Sequence, residues 1–326
     1  MSGGLLRVED LSVQFPVRLP GLLARRGTLQ AVAGISFVLA PGETLGVVGE
    51  SGCGKSTLGR AILRLLPDAA SITGRALLDG ADLMALAGEA LRRRRADIQM
   101  VFQDPLASLS PRRTVGQAIA EPLSAFRPDL DGGTRAALVA EMMDRVGLSP
   151  ALAGRYPHEF SGGQCQRIAI ARAMVAAPRL VVCDEAVSAL DVSVQAQIVN
   201  LLAALQAQTG LSLLFISHDL AVVRHLSHRV MVLYLGRVME IADRDSLYAR
   251  PLHPYTQALL AAVPSLSGVR ARTPMALGAD LPSPLDPPSG CVFRTRCPRA
   301  TDLCAAQVPP LVSHGPGRQV ACHHPG

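Results

Sequence analysis

The sequence predicts an α/β fold built on parallel strands, and three observations carry that prediction. First, the apolar run Thr44–Val48 enters a glycine-rich turn, and the helix-spaced set Leu58, Ile62, Leu65 and Leu66 follows at once. Second, two short apolar runs, 180–183 and 212–216, flank a helical stretch over 195–208, the βαβ order that calls for parallel pairing. Third, residues 113–153 are patterned helically with few β-branched runs, so a helical insert divides the α/β core.

The remaining elements follow along the chain. Residues 5–15 and 31–48 read as β segments with Val, Leu and Phe at alternating positions, and the Pro-, Gly- and Arg-rich stretch 16–30 between them reads as a loop. The turn Ser161-Gly162-Gly163 precedes an amphipathic helix over 164–175. Pro and Gly accumulate from Pro251, and regular patterning fades beyond Pro264. A boundary therefore falls within 250–265. It is placed so that 1–255 forms the main domain, with its helical insert at about 104–176, and 256–326 forms a small Cys-bearing extension.

Composition narrows the function. The chain has 326 residues, long enough to bury a large core, with 49% hydrophobic and 18% charged residues. Aromatic residues are only 3% and Trp is absent, which argues against base stacking; no nucleic-acid partner is expected. A net charge of +6 suits phosphates or anionic headgroups, although a solvated surface explains it equally well. Arg92 to Arg95 read as an exposed helix end. No run reaches the roughly 18–20 apolar residues of a membrane span, since 201–216 is broken by Gln206, Gln208 and Thr209. The N-terminus lacks a basic-then-apolar leader, so a cytosolic location is expected and the seven Cys are not read as a disulfide framework.

Gly49-Glu50-Ser51-Gly52-Cys53-Gly54-Lys55-Ser56 fits the P-loop pattern GxxxxGKS/T at every fixed position, between a strand and a helix as that motif requires. Gly49, Gly52 and Gly54 let backbone N–H groups turn inward on a phosphate, to which the helix N-terminus adds its positive end. Lys55 is assigned to the β- and γ-phosphates of ATP and Ser56 to Mg²⁺, with Ser51 and Thr57 counted among the nucleotide-binding positions. The apolar run Leu180-Val181-Val182-Cys183 ends in Asp184 and Glu185. Asp184 is assigned to Mg²⁺ through its water shell, and Glu185 to polarising the water that attacks the γ-phosphate.

Phe160-Ser161-Gly162-Gly163-Gln164 resembles the ABC signature motif LSGGQ at four of five positions. Ser161, Gly162 and Gly163 at a helix start, with Gln164, form a second anion site, offered to a γ-phosphate held by a partner subunit. Further landmarks fall in family order: Gln103 in Val101-Phe102-Gln103-Asp104-Pro105, Asp191 in Ser188-Ala189-Leu190-Asp191, and His218 in Ser217-His218-Asp219. The chain is thereby identified as an ABC nucleotide-binding domain, for which the resemblance implies a RecA-like core, an antiparallel β subdomain and a helical subdomain. It also implies that Gln103 touches Mg²⁺ and the attacking water, that His218 hydrogen-bonds the γ-phosphate, that Asp191 shapes the dimer interface and that Phe15 stacks on adenine.

Ala107 to Arg112, Val187 to Gln197, Tyr234 to Arg237 and His253-Pro254-Tyr255-Thr256 are similar to the ATPase subunits of oligopeptide and dipeptide importers, and this likeness covers nearly the whole chain. It implies a peripheral ATPase on the cytoplasmic face of the inner membrane. The implied partners are a second ABC ATPase subunit, identical or different, two transmembrane permease subunits and an extracytoplasmic solute-binding protein. Peptides are the expected cargo, with nickel chelates or glutathione-like molecules as alternatives; a soluble ABC ATPase is the rival class. Ala186 stands where Pro is expected, and Cys165 where Arg or Lys usually follows the signature.

Cys291, Cys297, Cys304 and Cys322 cluster in the extension, separated by five, six and seventeen residues. Four thiols in a loop-rich cytosolic segment read as a metal staple, either a 4Fe–4S cluster or tetrahedral Zn²⁺, with unligated thiols as the third reading. The spacing lacks the CxxC pair common in zinc sites. Some members of the importer subgroup hold an iron–sulfur cluster at Cys so arranged, and the resemblance favours the cluster. Cys53, Cys165 and Cys183 fall inside ATPase motifs and are read as bystanders.

Overall fold

The computed structural model describes residues 4–19, 25–262 and 281–326. The described residues form two compact units, both discontinuous in sequence. One holds 39–44 and 85–217 with the start of the described chain; the other holds the rest of 6–84 and the described part of 218–326. Strands β1 (Leu6–Leu19), β2 (Arg25–Leu39), β3 (Thr44–Val48), β4 (Ser71–Leu78) and β5 (Ala81–Asp82) precede the helical region. Then come β6 (Ile98–Val101), β7 (Leu180–Asp184), β8 (Ser212–Ile216), β9 (Arg229–Tyr234), β10 (Arg237–Asp243), β11 (Val312–Ser313) and β12 (Gln319–Val320).

In the first unit β6, β7 and β8 lie side by side and parallel, with Ile98 opposite Leu180 and Leu180 opposite Ser212. Every residue of β7 and β8 is buried, as expected of parallel strands covered on both faces. Between β6 and β7 lie helices Pro105–Ser108, Val115–Phe126, Gly132–Arg145 and Gly162–Met174. Their starts are written in the sequence. Thr114 and Gln117 close a capping box on the second, and Asp131 caps the third by accepting from the Thr134 N–H at 2.9 Å. Helix Val192–Thr209 between β7 and β8 ends at Gly210, whose φ of +68° is the left-handed stop that glycine favours. Arg92 to Arg95 occupy the last turn of helix Gly88–Arg95, where cations suit the negative end of the helix dipole.

The second unit contains an antiparallel sheet in the order β2-β1-β4-β5. It also contains β3, parallel to β9, followed outward by β10, β12 and β11, all antiparallel. Leu235 and Gly236, at φ +44° and +75°, make the tight turn between β9 and β10. Two expectations are corrected. The segment 31–48 is two strands broken by a turn at 40–43, where the Glu43 N–H donates to the Ala40 carbonyl at 3.2 Å. The loop expected over 16–30 is shorter, because β1 runs on to Leu19 and β2 starts at Arg25. Pro16 lies in β1 beyond Gln14, where the pairing with β4 stops. Residues 263–280, where patterning was expected to fade, lie outside the described residues.

Candidate functional site

Strand β3, buried at all five residues, delivers the chain to Gly49, and Lys55 opens helix Lys55–Ile62. Gly54 has φ +100°, and a Cβ there would stand 2.2 Å from the Ala31 carbonyl oxygen, so only glycine fits. Gly54 offers the helix no side-chain cap and its first turn carries no acid, so the positive end of the helix is left for an anion. The Lys55 side chain curls back over the loop: Nζ donates to the carbonyls of Gly49 at 2.8 Å and Glu50 at 3.1 Å. Ser51 and Gly52 are exposed at the loop tip, while Ser56 and Thr57 are half-buried in the first helical turn. This cradle fits a phosphate by its backbone, its cation and its dipole. Phe15, half-buried on β1, belongs to the same unit.

Sequence reasoning missed what holds this loop from outside. The carboxylate of Glu50 is gripped by Arg296, at 2.8 and 3.0 Å, and the Glu50 N–H donates to the Tyr255 hydroxyl at 2.9 Å. No local signal marks Glu50, since the P-loop pattern leaves its position open.

In the other unit Asp184 ends β7 fully buried. Glu185 follows at φ +48°, a strained conformation for a non-glycine residue, held by its N–H to the Ile216 carbonyl at 3.0 Å and by Ser188, whose hydroxyl donates to the Glu185 carbonyl at 3.0 Å. Gln103 Nε2 donates to Glu185 Oε2 at 3.1 Å, so two of the three expected catalytic candidates meet. The third, His218, falls in the unit that holds the phosphate loop and is exposed; its neighbour Asp219 caps helix Leu220–Leu226 by accepting from the N–H of Ala221 at 2.7 Å.

Ser161 caps helix Gly162–Met174, with the Gln164 N–H 3.4 Å from its hydroxyl and its own N–H donating to Gln164 Oε1 at 3.0 Å. Ser161, Gly162 and Gln164 are exposed, and Gly163 lies so close to Val194 that a Cβ would stand 2.5 Å from it. Asp191 caps helix Val192–Thr209; the Val194 N–H and the Ser193 hydroxyl hold its carboxyl below the usual carboxylate range. Cys165 is buried, its thiol 3.4 Å from the Pro157 carbonyl oxygen, so the position faces inward and not toward an exposed anion site. Cys53 and Cys183 are buried too, and burial pushes the Cys183 thiol up to about 12.

The ABC transporter family profile matches residues 32–188, and the profile of the oligopeptide/dipeptide transporter C-terminal region matches 239–304. The chain is 52% identical to the oligopeptide transport ATP-binding protein OppF of Haemophilus influenzae, over 98% of this chain and 96% of that protein. It is 51% identical to the oligopeptide transport ATP-binding protein AppF of Bacillus subtilis, over 98% and 97%. This chain belongs to the ATP-binding subunits of ABC transporters. Among solved structures, the ABC subunit cbiO1 from Clostridium perfringens aligns with a TM-score of 0.63 at 27% identity, over 76% of this chain and 92% of that one. An ATP-binding cassette, MJ0796, bound to ADP and phosphate after hydrolysis, aligns with a TM-score of 0.64 at 26% identity, over 73% and 98%. As an ABC subunit the chain is an ATPase that uses ATP and Mg²⁺.

The extension of this ABC subunit gathers its four cysteines. Cys291, Cys297, Cys304 and Cys322 line one pocket with His253, Phe293 and His324. The Cys291 N–H donates to the Cys304 carbonyl at 2.7 Å, and the His324 N–H points at the Cys322 sulfur at 3.4 Å. Burial pushes the thiols of Cys291, Cys297 and Cys322 up, Cys322 to about 11. Four thiols around one pocket are the donor set of a soft metal centre. Among the described residues, however, no three His, Cys, Asp or Glu are placed to hold a metal ion.

Proposed function

We propose that the chain is the ATP-hydrolysing subunit of an importer that takes up dipeptides and oligopeptides. It would act with a second ABC ATPase subunit, two membrane permeases and an extracytoplasmic solute-binding protein, on the cytoplasmic face of the membrane. The observation that carries this reading is the match to oligopeptide transport ATP-binding proteins across both the ATPase region and the C-terminal region. No described helix is long and apolar enough to cross a membrane. Reconstitution with permease subunits and a solute-binding protein of a peptide importer tests this: ATP-dependent peptide uptake into vesicles is expected, and ATP hydrolysis with no peptide stimulation or uptake would reject the cargo.

Each site residue is given a role on its chemistry. Lys55, Thr57 and the amides at Ser51, Gly52 and Gly54 hold the phosphates, with Ser56, Gln103 and Asp184 serving the Mg²⁺ ion and Phe15 the adenine. Glu185 orients and polarises the attacking water, Gln103 fixes the Glu185 carboxylate and His218 hydrogen-bonds the γ-phosphate. Ser161, Gly162, Gly163 and Gln164 serve the nucleotide held by the partner subunit, and Asp191 stiffens the start of helix Val192–Thr209.

Residues 1–255 are taken as the ATP-binding domain, with the helical insert at about 104–176, and 256–326 as the extension. Cys291, Cys297, Cys304 and Cys322 are proposed as thiolate ligands of a 4Fe–4S cluster, supported by their convergence on one pocket and by the sulfur-directed N–H of His324. Anaerobic purification followed by iron and acid-labile sulfide analysis tests it: loss of both in Cys297→Ser supports the cluster, whereas zinc or no metal in the unaltered chain rejects it.

A further inference from the structure

Glu50, the second residue of the phosphate loop, is held at three points. Its carboxylate receives one guanidinium nitrogen of Arg296, which bridges both oxygens at 2.8 and 3.0 Å. Its N–H donates to the Tyr255 hydroxyl at 2.9 Å, and its carbonyl accepts from Lys55 Nζ at 3.1 Å and from the Cys53 N–H at 3.2 Å. The ion pair is sheltered, with the Arg296 side chain 7% exposed and that of Glu50 23%.

The clamp stands on a rigid base. Tyr234, Tyr255 and Phe293 are fully buried and pack ring against ring, with centroids 4.8 to 5.3 Å apart. Phe293 seats the segment that carries Arg296, whose guanidinium lies 5.8 Å from the centre of the Tyr234 ring. The same base thus fixes both the arginine and the tyrosine that hold Glu50.

Two physical consequences follow. An anion-binding loop works through the directions of its backbone N–H groups, and a residue pinned at side chain, amide and carbonyl cannot change those directions. Glu50 also places a negative charge inside a loop that receives phosphates, and without a counter-charge that carboxylate would repel them. Arg296 supplies that counter-charge, its guanidinium nitrogen 2.8 Å from Glu50 Oε2.

We propose that Arg296 is a positioning residue of the nucleotide site, which neutralises Glu50 and fixes the phosphate loop in its binding conformation. The C-terminal segment is then a working part of the ATPase. This inference rests on the reading of residues 49–56 as the phosphate loop. It is tested on the full chain by calorimetric titration with MgADP. Arg296→Ala weakens binding about tenfold, since removing one partner leaves the sheltered carboxylate uncompensated. Arg296→Lys recovers much of the loss, and adding Glu50→Gln to Arg296→Ala recovers it to within about threefold of wild type, because the repelling charge is gone. Should Arg296→Ala not fold, Arg296→Lys and the Glu50→Gln/Arg296→Lys pair give the same comparison, with the lysine variant the weaker binder of the two. Wild-type affinity in Arg296→Ala, or a loss that Glu50→Gln does not relieve, overturns the inference and leaves the pair as a tether for the extension. Lys55→Ala separates the two readings: if it binds MgADP as wild type does, the phosphate-loop reading itself has failed.

Discussion

Gln103 Nε2 donates a hydrogen bond to Glu185 Oε2 across 3.1 Å. The glutamine follows β6 and the glutamate follows β7, two parallel strands whose ends point the same way. Glu185 departs from its strand at φ +48°, a conformation that costs energy and that Ser188 and Ile216 hold in place. A carboxylate whose orientation is set by an amide donor is suited to aligning a water molecule.

Glu185→Gln therefore lowers steady-state phosphate release by about 10²- to 10⁴-fold, the usual contribution of a positioned base. Nucleotide affinity stays at the wild-type value, since the amide keeps the shape and the bond to Gln103. Phosphate-release assays on the reconstituted transporter, with a parallel binding titration, check both; unchanged turnover would remove Glu185 from its assigned role.

Ser161→Trp fills the exposed start of helix Gly162–Met174 without touching the phosphate loop. In the assembled transporter ATP hydrolysis is lost, while the isolated chain binds MgADP as before. Hydrolysis that survives the bulky side chain would show that the signature serine takes no part in gripping nucleotide.

Gly54→Ala forces a Cβ to within 2.2 Å of the Ala31 carbonyl at a positive φ, so the loop or β2 has to move. The expected cost is on the order of 1–3 kcal/mol. Gly52→Ala, also at positive φ but with no atom within 4 Å of its Cβ, is the control and loses only about 1 kcal/mol. Urea unfolding of the two variants measures the difference.

Acid weakens the helical unit in a defined window. The Val194 N–H and Ser193 hydroxyl hold the Asp191 carboxyl below its ordinary 3.8, and the Thr134 hydroxyl and N–H do the same for Asp131. Both folded values are depressed, so their stabilisation is complete above about pH 4 and drains away as the pH falls through the folded values. Asp191→Asn retains an oxygen cap that does not titrate, and its unfolding midpoint changes less between pH 5 and pH 3 than that of the wild type, about two units of pH being enough to see it.

Much of this arrangement is legible in the sequence because its signals are local. The phosphate loop, the strand ending in Asp184 and Glu185, and the caps at Thr114, Ser161 and Asp191 all depend on residues a few positions apart. Strand ends were harder to place. Pro16 argues against β structure in any short window, yet β1 runs through it to Leu19. The Arg296–Glu50 pair could not be foreseen, because it joins residues 246 positions apart and neither belongs to a fixed position of a motif. The four cysteines were visible as a group, but their convergence on a pocket shared with His253 and His324 is a property of the folded chain.

That 246-residue separation also orders events on the ribosome. Synthesis at roughly 5–20 residues per second delivers Glu50 on the order of 10–50 s before Arg296. During that interval the nascent chain carries Glu50 without the Arg296 counter-charge. On the positioning role proposed for Arg296, a chain that has not yet reached it binds nucleotide about tenfold more weakly than one that has.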